Sequence, residues 1–124
     1  MSDMLEDIFT LREKFMKALR NVKQNEYPEW PIDLSQKSSQ QHLRDIALRG
    51  VEEMFEALQH LKNWKPHRDT EVPEFDREEF LEEVVDAFNY FISVLVLMGI
   101  DSQELYNSYI NKDKIIHKRL KSKY

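Results

Sequence analysis

Apolar residues recur at intervals of three and four along most of the chain, which is the spacing of one face of an α-helix. Leu5, Ile8, Phe15, Met16 and Leu19 set this period over residues 3–22, with Arg12 the one polar member of the series. The pattern stops over residues 23–39, where Pro28, Trp30 and Pro31 mark an irregular segment. Ser38 or Ser39 is the candidate cap of a second helix, expected over about residues 40–63, with Leu43, Ala47, Val51, Met54, Leu58 and Leu61 as its apolar arc. A loop over residues 64–75 leads to a third helix. Asp76 and Glu79 open it as a capping box, and it ends near Met98 and Gly99. Asp101 and Glu104 form a second box, opening a fourth helix that runs into a basic end. The sequence therefore predicts an all-α protein, a bundle of four to five helices forming a single domain over residues 1–124, with no internal repeat.

The third helix is the most informative. Phe80, Leu81, Val84, Val85, Ala87, Phe88, Phe91, Ile92, Val94 and Leu95 cover nearly its whole girth, as in a buried helix. Three short companions are too few to cover that girth, so an oligomer, a homodimer or homotetramer, is expected. One narrow stripe is polar: Glu79, Glu82, Glu83, Asp86, Asn89, Tyr90 and Ser93. At ~100° per residue, Glu82, Glu83 and Asp86 share a sector of ~100°. Two carboxylates ~4 Å apart repel by about 4 kcal/mol at an effective dielectric of ~20. A positive partner is wanted among them, and a hard divalent cation is the simple answer. The second helix offers a matching set in Glu52, Glu53 and Glu56. A solvated salt-bridge face explains that set equally, since Arg49 lies one turn from Glu53.

Composition narrows the choices. Two glycines, four prolines and 33% charged residues in 124 suit long helices better than a turn-rich β-fold. The lack of cysteine excludes disulfides, zinc–thiolate sites and thiol nucleophiles. The opening MSDMLEDIF has no signal-peptide character, and the longest apolar stretch, residues 87–100, is too short to span a bilayer. A soluble, cytoplasmic protein with no membrane partner is expected. The net charge of −5 is uneven: residues 111–124 hold six Lys/Arg against one acid, Asp113, while the remainder holds 12 basic and 22 acidic residues. The acidic body argues against nucleic acid as a partner. The basic end suits a compact anion such as a polyphosphate, or is a solvated terminus.

Glu53 with Glu56, and Glu83 with Asp86, place carboxylates at i and i+3 on two helices. Such a set can offer four oxygen donors to one or two Mg²⁺ ions shared with substrate phosphates. Lys62, Lys65, Arg68, Lys112 and Arg119 are candidates for phosphate oxygens left uncovered. Asn89 can hydrogen-bond sugar or base, or satisfy a buried polar pocket. Trp30 or Trp64 can stack on a base, or anchor core and loop. Other chemistries fit worse. There is no GxxxxGK[ST] loop and no GxSxG elbow. The Glu-x-x-His pairs of di-iron bundles are missing, because His60 lies four residues after Glu56. His42, His60, His67 and His117 are too scattered for a zinc pair.

EExxE over residues 52–56 and EExxD over residues 82–86, with 26 residues between Glu56 and Glu83, resembles the ExxE…ExxD signature of the all-α nucleoside triphosphate pyrophosphatases. That superfamily comprises MazG-like proteins, dimeric dUTPases and phage dCTP pyrophosphatases. FLEEVVDAFNYFISVLVLMGIDSQELYNSYINKDKIIHKR, residues 80–119, is similar to the dimeric dUTPase and phage dCTPase branch. There the acidic helix ends in a Leu-Gly-Ile/Met turn, followed by a Y-x-x-K-N-x-x-N-x-x-R segment. Tyr109, Lys112 and Arg119 match that segment, whereas Asp113 and Ile116 stand in place of its asparagines. Trp64 and Lys65 look like that branch's Trp-Lys loop. The similarity covers roughly residues 43–124.

The resemblance implies a MazG-like or dUTPase-like helical fold, dimeric or tetrameric. It implies hydrolysis of a nucleoside triphosphate to the monophosphate and pyrophosphate, on a pyrimidine deoxynucleotide such as dUTP or dCTP. Glu53, Glu56, Glu83 and Asp86 would be the Mg²⁺ ligands. Glu52 and Glu53 would be the catalytic pair, with Glu52 orienting the attacking water or holding a further ion. Asn89, Lys112, Arg119, Lys65 and Trp64 would bind substrate. Two other readings stay open: a house-cleaning enzyme of broad base specificity, and a non-catalytic interaction protein that keeps the helices.

Overall fold

The computed structural model describes residues 3–23, 26–69, 71–72 and 74–122. Thr70 and Pro73 of the expected loop, and Lys123 and Tyr124 of the basic end, lie outside them. The described residues form four α-helices and no strand: α1 (Met4–Val22), α2 (Lys37–Leu58), α3 (Arg77–Leu97) and α4 (Ser102–Lys121). The chain divides into two compact units, Met1–Ile32 with Leu95–Tyr124, and Asp33–Val94. Among the described residues, no single helix is long and apolar enough to cross a membrane.

In the first unit, Asp3 opens α1 by accepting the amides of Leu5 (3.0 Å) and Glu6 (3.2 Å) on Oδ1. Phe9 and Met16 are the buried residues of this helix, two turns apart. The polar Arg12 lies between them. Its guanidinium donates to the hydroxyl of the buried Tyr27 at 3.1 Å and lies 4.8 Å from the Phe15 ring centroid. Ile8 and Phe15 of the expected arc are more exposed than Phe9, because the buried row runs through Phe9, Arg12 and Met16.

The end of α3 is fixed by hydrogen bonds that favour glycine. Gly99 has φ +78°, its amide donates to Val96 O, and the Ile100 amide donates to Leu95 O, both at 2.9 Å. This is the Schellman pattern, which satisfies orphan carbonyls at a helix end. A Cβ on Gly99 would also sit 3.1 Å from Pro31 Cβ. The chain around Pro31 is held here, because the Ile32 amide donates to Leu97 O at 2.9 Å. Asp101 then accepts the Glu104 amide at 2.8 Å and starts α4. From Asn111 onward every described residue of α4 is exposed.

The second unit departs from expectation at α2. The helix starts at Lys37 and stops at Leu58, earlier at both ends than the sequence pattern suggests. Asp33 accepts the amide (3.0 Å) and hydroxyl (2.7 Å) of Ser35, and the Gln40 side chain donates to Leu34 O at 2.7 Å. This turn puts the cap at Gln36, ahead of Ser38 and Ser39. After Leu58, the amides of Gln59, His60 and Leu61 bond three residues back, which tightens the chain out of the α-helix.

The buried row of α2 also differs. Ile46, Gly50 and Ala57 are buried, whereas Val51, Leu58 and Leu61 of the expected arc are exposed. Small residues decide this. A Cβ on Gly50 would lie 2.7 Å from Phe91 Cε1, so α3 approaches where α2 has no side chain. Gly50 meets Phe91, and ten residues later His60 meets Phe80 and Glu83, so α2 and α3 run antiparallel. Ala87, Ile92 and Ser93 are buried on α3, but Leu81, Val85 and Phe88 are exposed. The apolar girth of α3 is therefore only partly covered by its own chain.

Gly99→Ala is expected to destabilise the protein by about 1–3 kcal/mol, since it combines a left-handed backbone with the Pro31 contact. Gly99→Asn should cost less in urea denaturation, because asparagine tolerates that backbone better.

Candidate metal centre

The antiparallel α2–α3 pair brings the two acidic motifs together. On α2 the row that faces α3 runs Gly50, Glu53, Ala57, so the half-buried Glu53 is flanked by two buried small residues. On α3, Ala87 is buried beside Glu83 and Asp86.

Electrostatics register the convergence. Partial burial pushes the Glu53 carboxyl above its ordinary pKa, and the charge of Glu56, a hydrogen bond with Glu56, and the charges of Asp86 and Glu83 push it the same way. The other three acids expected from the sequence thus all act on Glu53. Glu83 is half-buried, while Glu56 and Asp86 are exposed. One oxygen of Glu83, Oε2, is buried with no hydrogen-bond partner. An ionised carboxylate oxygen left so is costly unless a cation or donor meets it. Oxygen-rich donors at i and i+3 on facing helices, one of them orphaned, fit a hard divalent cation.

Sequence reasoning missed one neighbour. His60 Nε2 lies 3.3 Å from Glu83 Oε1, and His60, Glu79 and Glu83 each offer a ligand atom within 4.8 Å of the others. The spacing of His60 from Glu56 excludes a Glu-x-x-His pair on one helix, but α2 ends at Leu58, so His60 reaches Glu83 from the turn that follows. The available signal was the inward row itself, since His60 follows Ala57 by three and Glu53 by seven.

The other expected residues are dispersed. Glu52 is exposed, and the charges that shift Glu53 do not include it. Arg49 pairs with Asp45 at 3.1 Å, one turn back. Asn89 is half-buried one turn beyond Asp86. Trp64 is 68% exposed, and Lys65 Nζ lies 5.7 Å from its ring centroid. Trp64 lines a cleft of about 240 Å³ with Val72, Phe75 and His60, so this aromatic cleft shares His60 with the acidic cluster. Lys112 and Arg119 are exposed on α4, in the other unit. Asp113 has a local partner there, His117, at 3.3 Å. No protein-family model, curated protein or solved structure gives a significant match to the chain.

The raised pKa of Glu53 has a signed consequence. Below the unfolded-state pKa the group is protonated in both states and costs nothing. As pH rises through the folded-state value, Glu53 ionises among like charges and stability falls. Glu53→Gln should therefore raise the melting temperature of metal-free protein near pH ~7, and the gain should fade towards pH ~4. Paired melting curves in chelator check this; a gain equal at both pH values would assign the effect to something other than charge.

Proposed function

We propose that the protein is a Mg²⁺-dependent nucleoside triphosphate pyrophosphatase of MazG-like, dimeric dUTPase-like type. Its substrate on this reading is a pyrimidine deoxynucleoside triphosphate such as dUTP or dCTP, cleaved to the monophosphate and pyrophosphate. The observation that carries the reading is the convergence of Glu53, Glu56, Glu83 and Asp86 between two antiparallel helices, with Glu83 Oε2 buried and unpartnered.

These four residues would hold the magnesium. When bound, the ion supplies polarisation of a phosphoryl oxygen and acidifies a water for in-line attack. The protein's own groups do the rest. Glu52, next to Glu53 and open to solvent, orients the attacking water and accepts its proton. Trp64 offers an exposed ring for the base, at the mouth of a cleft whose His60 also touches Glu83. Lys65 takes phosphate oxygens, and Asn89 takes sugar or base. A second reading, a non-catalytic interaction protein, is favoured by one feature. Asp113 is engaged with His117 within α4 where the resembled segment has an asparagine.

Self-association belongs to the proposal. Leu48, Val51, Phe55 and Leu58 form an exposed stripe on α2, and Leu81, Val85 and Phe88 another on α3. Covering such side chains is worth ~1.5–3 kcal/mol each for full burial. Light scattering should give at least twice the 15.0 kDa chain mass, and Phe55→Glu should shift the mass towards the monomer. A monomeric parent at micromolar concentration would remove this part of the proposal.

Purified protein with Mg²⁺ and a panel of ribo- and deoxynucleoside triphosphates tests the activity. Pyrophosphate release is expected from one or two deoxynucleotides. Glu53→Gln and Asp86→Asn should each lower kcat/KM by about 100-fold or more, ~2.7 kcal/mol of transition-state stabilisation, while melting cooperatively. Turnover of no nucleotide, or variants as active as the parent, would leave the interaction protein as the better reading.

A further inference from the structure

His60, Glu79 and Glu83 differ in kind from the all-oxygen set beside them. Three potential ligand atoms, one of them an imidazole nitrogen, lie within 4.8 Å of one another. The 3.3 Å between His60 Nε2 and Glu83 Oε1 is close to the ligand-to-ligand edge of a tetrahedron with bonds of ~2.0–2.1 Å. Phe80 holds the imidazole from its edge, with ring centroids 6.4 Å apart and planes at 86°. The His60 and Glu83 side chains are only 20% and 27% exposed, so a cation there would be partly shielded from water.

We propose that His60, Glu79 and Glu83 form a second metal site, selective for a borderline divalent transition ion of the Zn²⁺ class. Imidazole beside carboxylates suits zinc and its neighbours in the series, whereas carboxylates alone suit magnesium, calcium and manganese. The site is assembled from two segments. His60 comes from the tightened turn after α2, and Glu79 and Glu83 come from successive turns of α3. The backbone at Glu79 is pinned, because its amide donates to Asp76 Oδ1 at 3.1 Å. The exposed Glu79 side chain is free to swing and close the remaining gap. Three protein ligands leave a coordination position for water or an anion.

Glu83 belongs to both sets. One of its oxygens faces His60, and the other is buried and unpartnered. A transition ion held by His60 therefore draws on a carboxylate that the proposed magnesium site also uses, so the two ions are coupled through one side chain. The inference does not depend on the hydrolase reading, since it rests on the histidine cluster alone.

The test is calorimetric titration of Zn²⁺ into the full chain, carrying no polyhistidine tag and with Mg²⁺ absent. The parent is compared with His60→Ala, His60→Asn, Glu79→Gln, His117→Ala and Glu56→Gln. One Zn²⁺ per chain is expected. Both His60 variants and Glu79→Gln should weaken it about tenfold or more, while Mg²⁺ affinity, read in a separate titration without Zn²⁺, stays within about twofold. Glu56→Gln should do the reverse, and His117→Ala should change neither. Co²⁺ in place of Zn²⁺ should give a visible ligand-field band that His60→Asn removes. Should both His60 variants fail to melt cooperatively, Glu79→Gln, at an exposed position, carries the test. Zn²⁺ affinity indifferent to His60 and Glu79, or lost with His117→Ala, would overturn the site. Nucleotide turnover measured alongside separates the two proposals: His60-dependent Zn²⁺ binding without turnover keeps this one and removes the other, and Mg²⁺-dependent turnover without it does the opposite.

Discussion

Like charges held together at the crossing of α2 and α3 are the constraint around which the second unit is arranged. Glu53 ionises reluctantly because it is partly buried and because Glu56, Asp86 and Glu83 surround it. Carboxylates separate in water when nothing holds them, so their convergence has to be imposed by the backbone. The absence of a side chain at Gly50 imposes it, letting α3 approach to a distance at which a Cβ on α2 would clash with Phe91. Buried apolar contact at Ile46 and Ile92 contributes favourable free energy to the same unit that carries the repulsion. A structure that sacrifices stability at one cluster commonly does so where charge has work to do.

The charge distribution makes a cation central to any phosphate chemistry at this cluster. A triphosphate would be repelled by four carboxylates, and a divalent ion between the two reverses the sign of that interaction. The aromatic cleft next to His60 has different chemistry. Trp64, Val72 and Phe75 present apolar surface within the same unit, which suits a flat ring better than a phosphate. Acid cluster and aromatic cleft meet at His60, so this histidine sits where a ligand with one charged end and one planar end would pass from one environment to the other.

The exposed stripes on α2 and α3 are the other unresolved demand of the fold. A helix apolar around most of its girth is stable only if something covers it. Within the chain, the inward row is spent on bringing α2 to α3, which leaves Val51, Phe55 and Leu58 on one helix and Leu81, Val85 and Phe88 on the other facing out. The same choice of small residues at the crossing therefore produces both the carboxylate cluster and the apolar surface.

Much was legible in the sequence because it is written locally. Helical period, the aspartate caps at Asp76 and Asp101, and the glycine that ends α3 depend on neighbours a few residues away, and these elements formed where the pattern placed them. That Glu53 and Glu56 share one face of their helix, and Glu83 and Asp86 one face of theirs, was also legible, because i, i+3 spacing fixes each pair locally. The early start and stop of α2 were not, since the turn at Asp33 and Ser35 and the tightening after Leu58 override the serine caps and the apolar arc. Nor was the row that α2 buries. Apolarity alone favoured Val51 and Leu58, but close approach favoured Gly50 and Ala57, and steric fit between two helices is not a property of either one. His60 became a neighbour of Glu83 for that reason: the sequence determined which residues could carry the chemistry, and only the packing of one helix against another decided which of them meet.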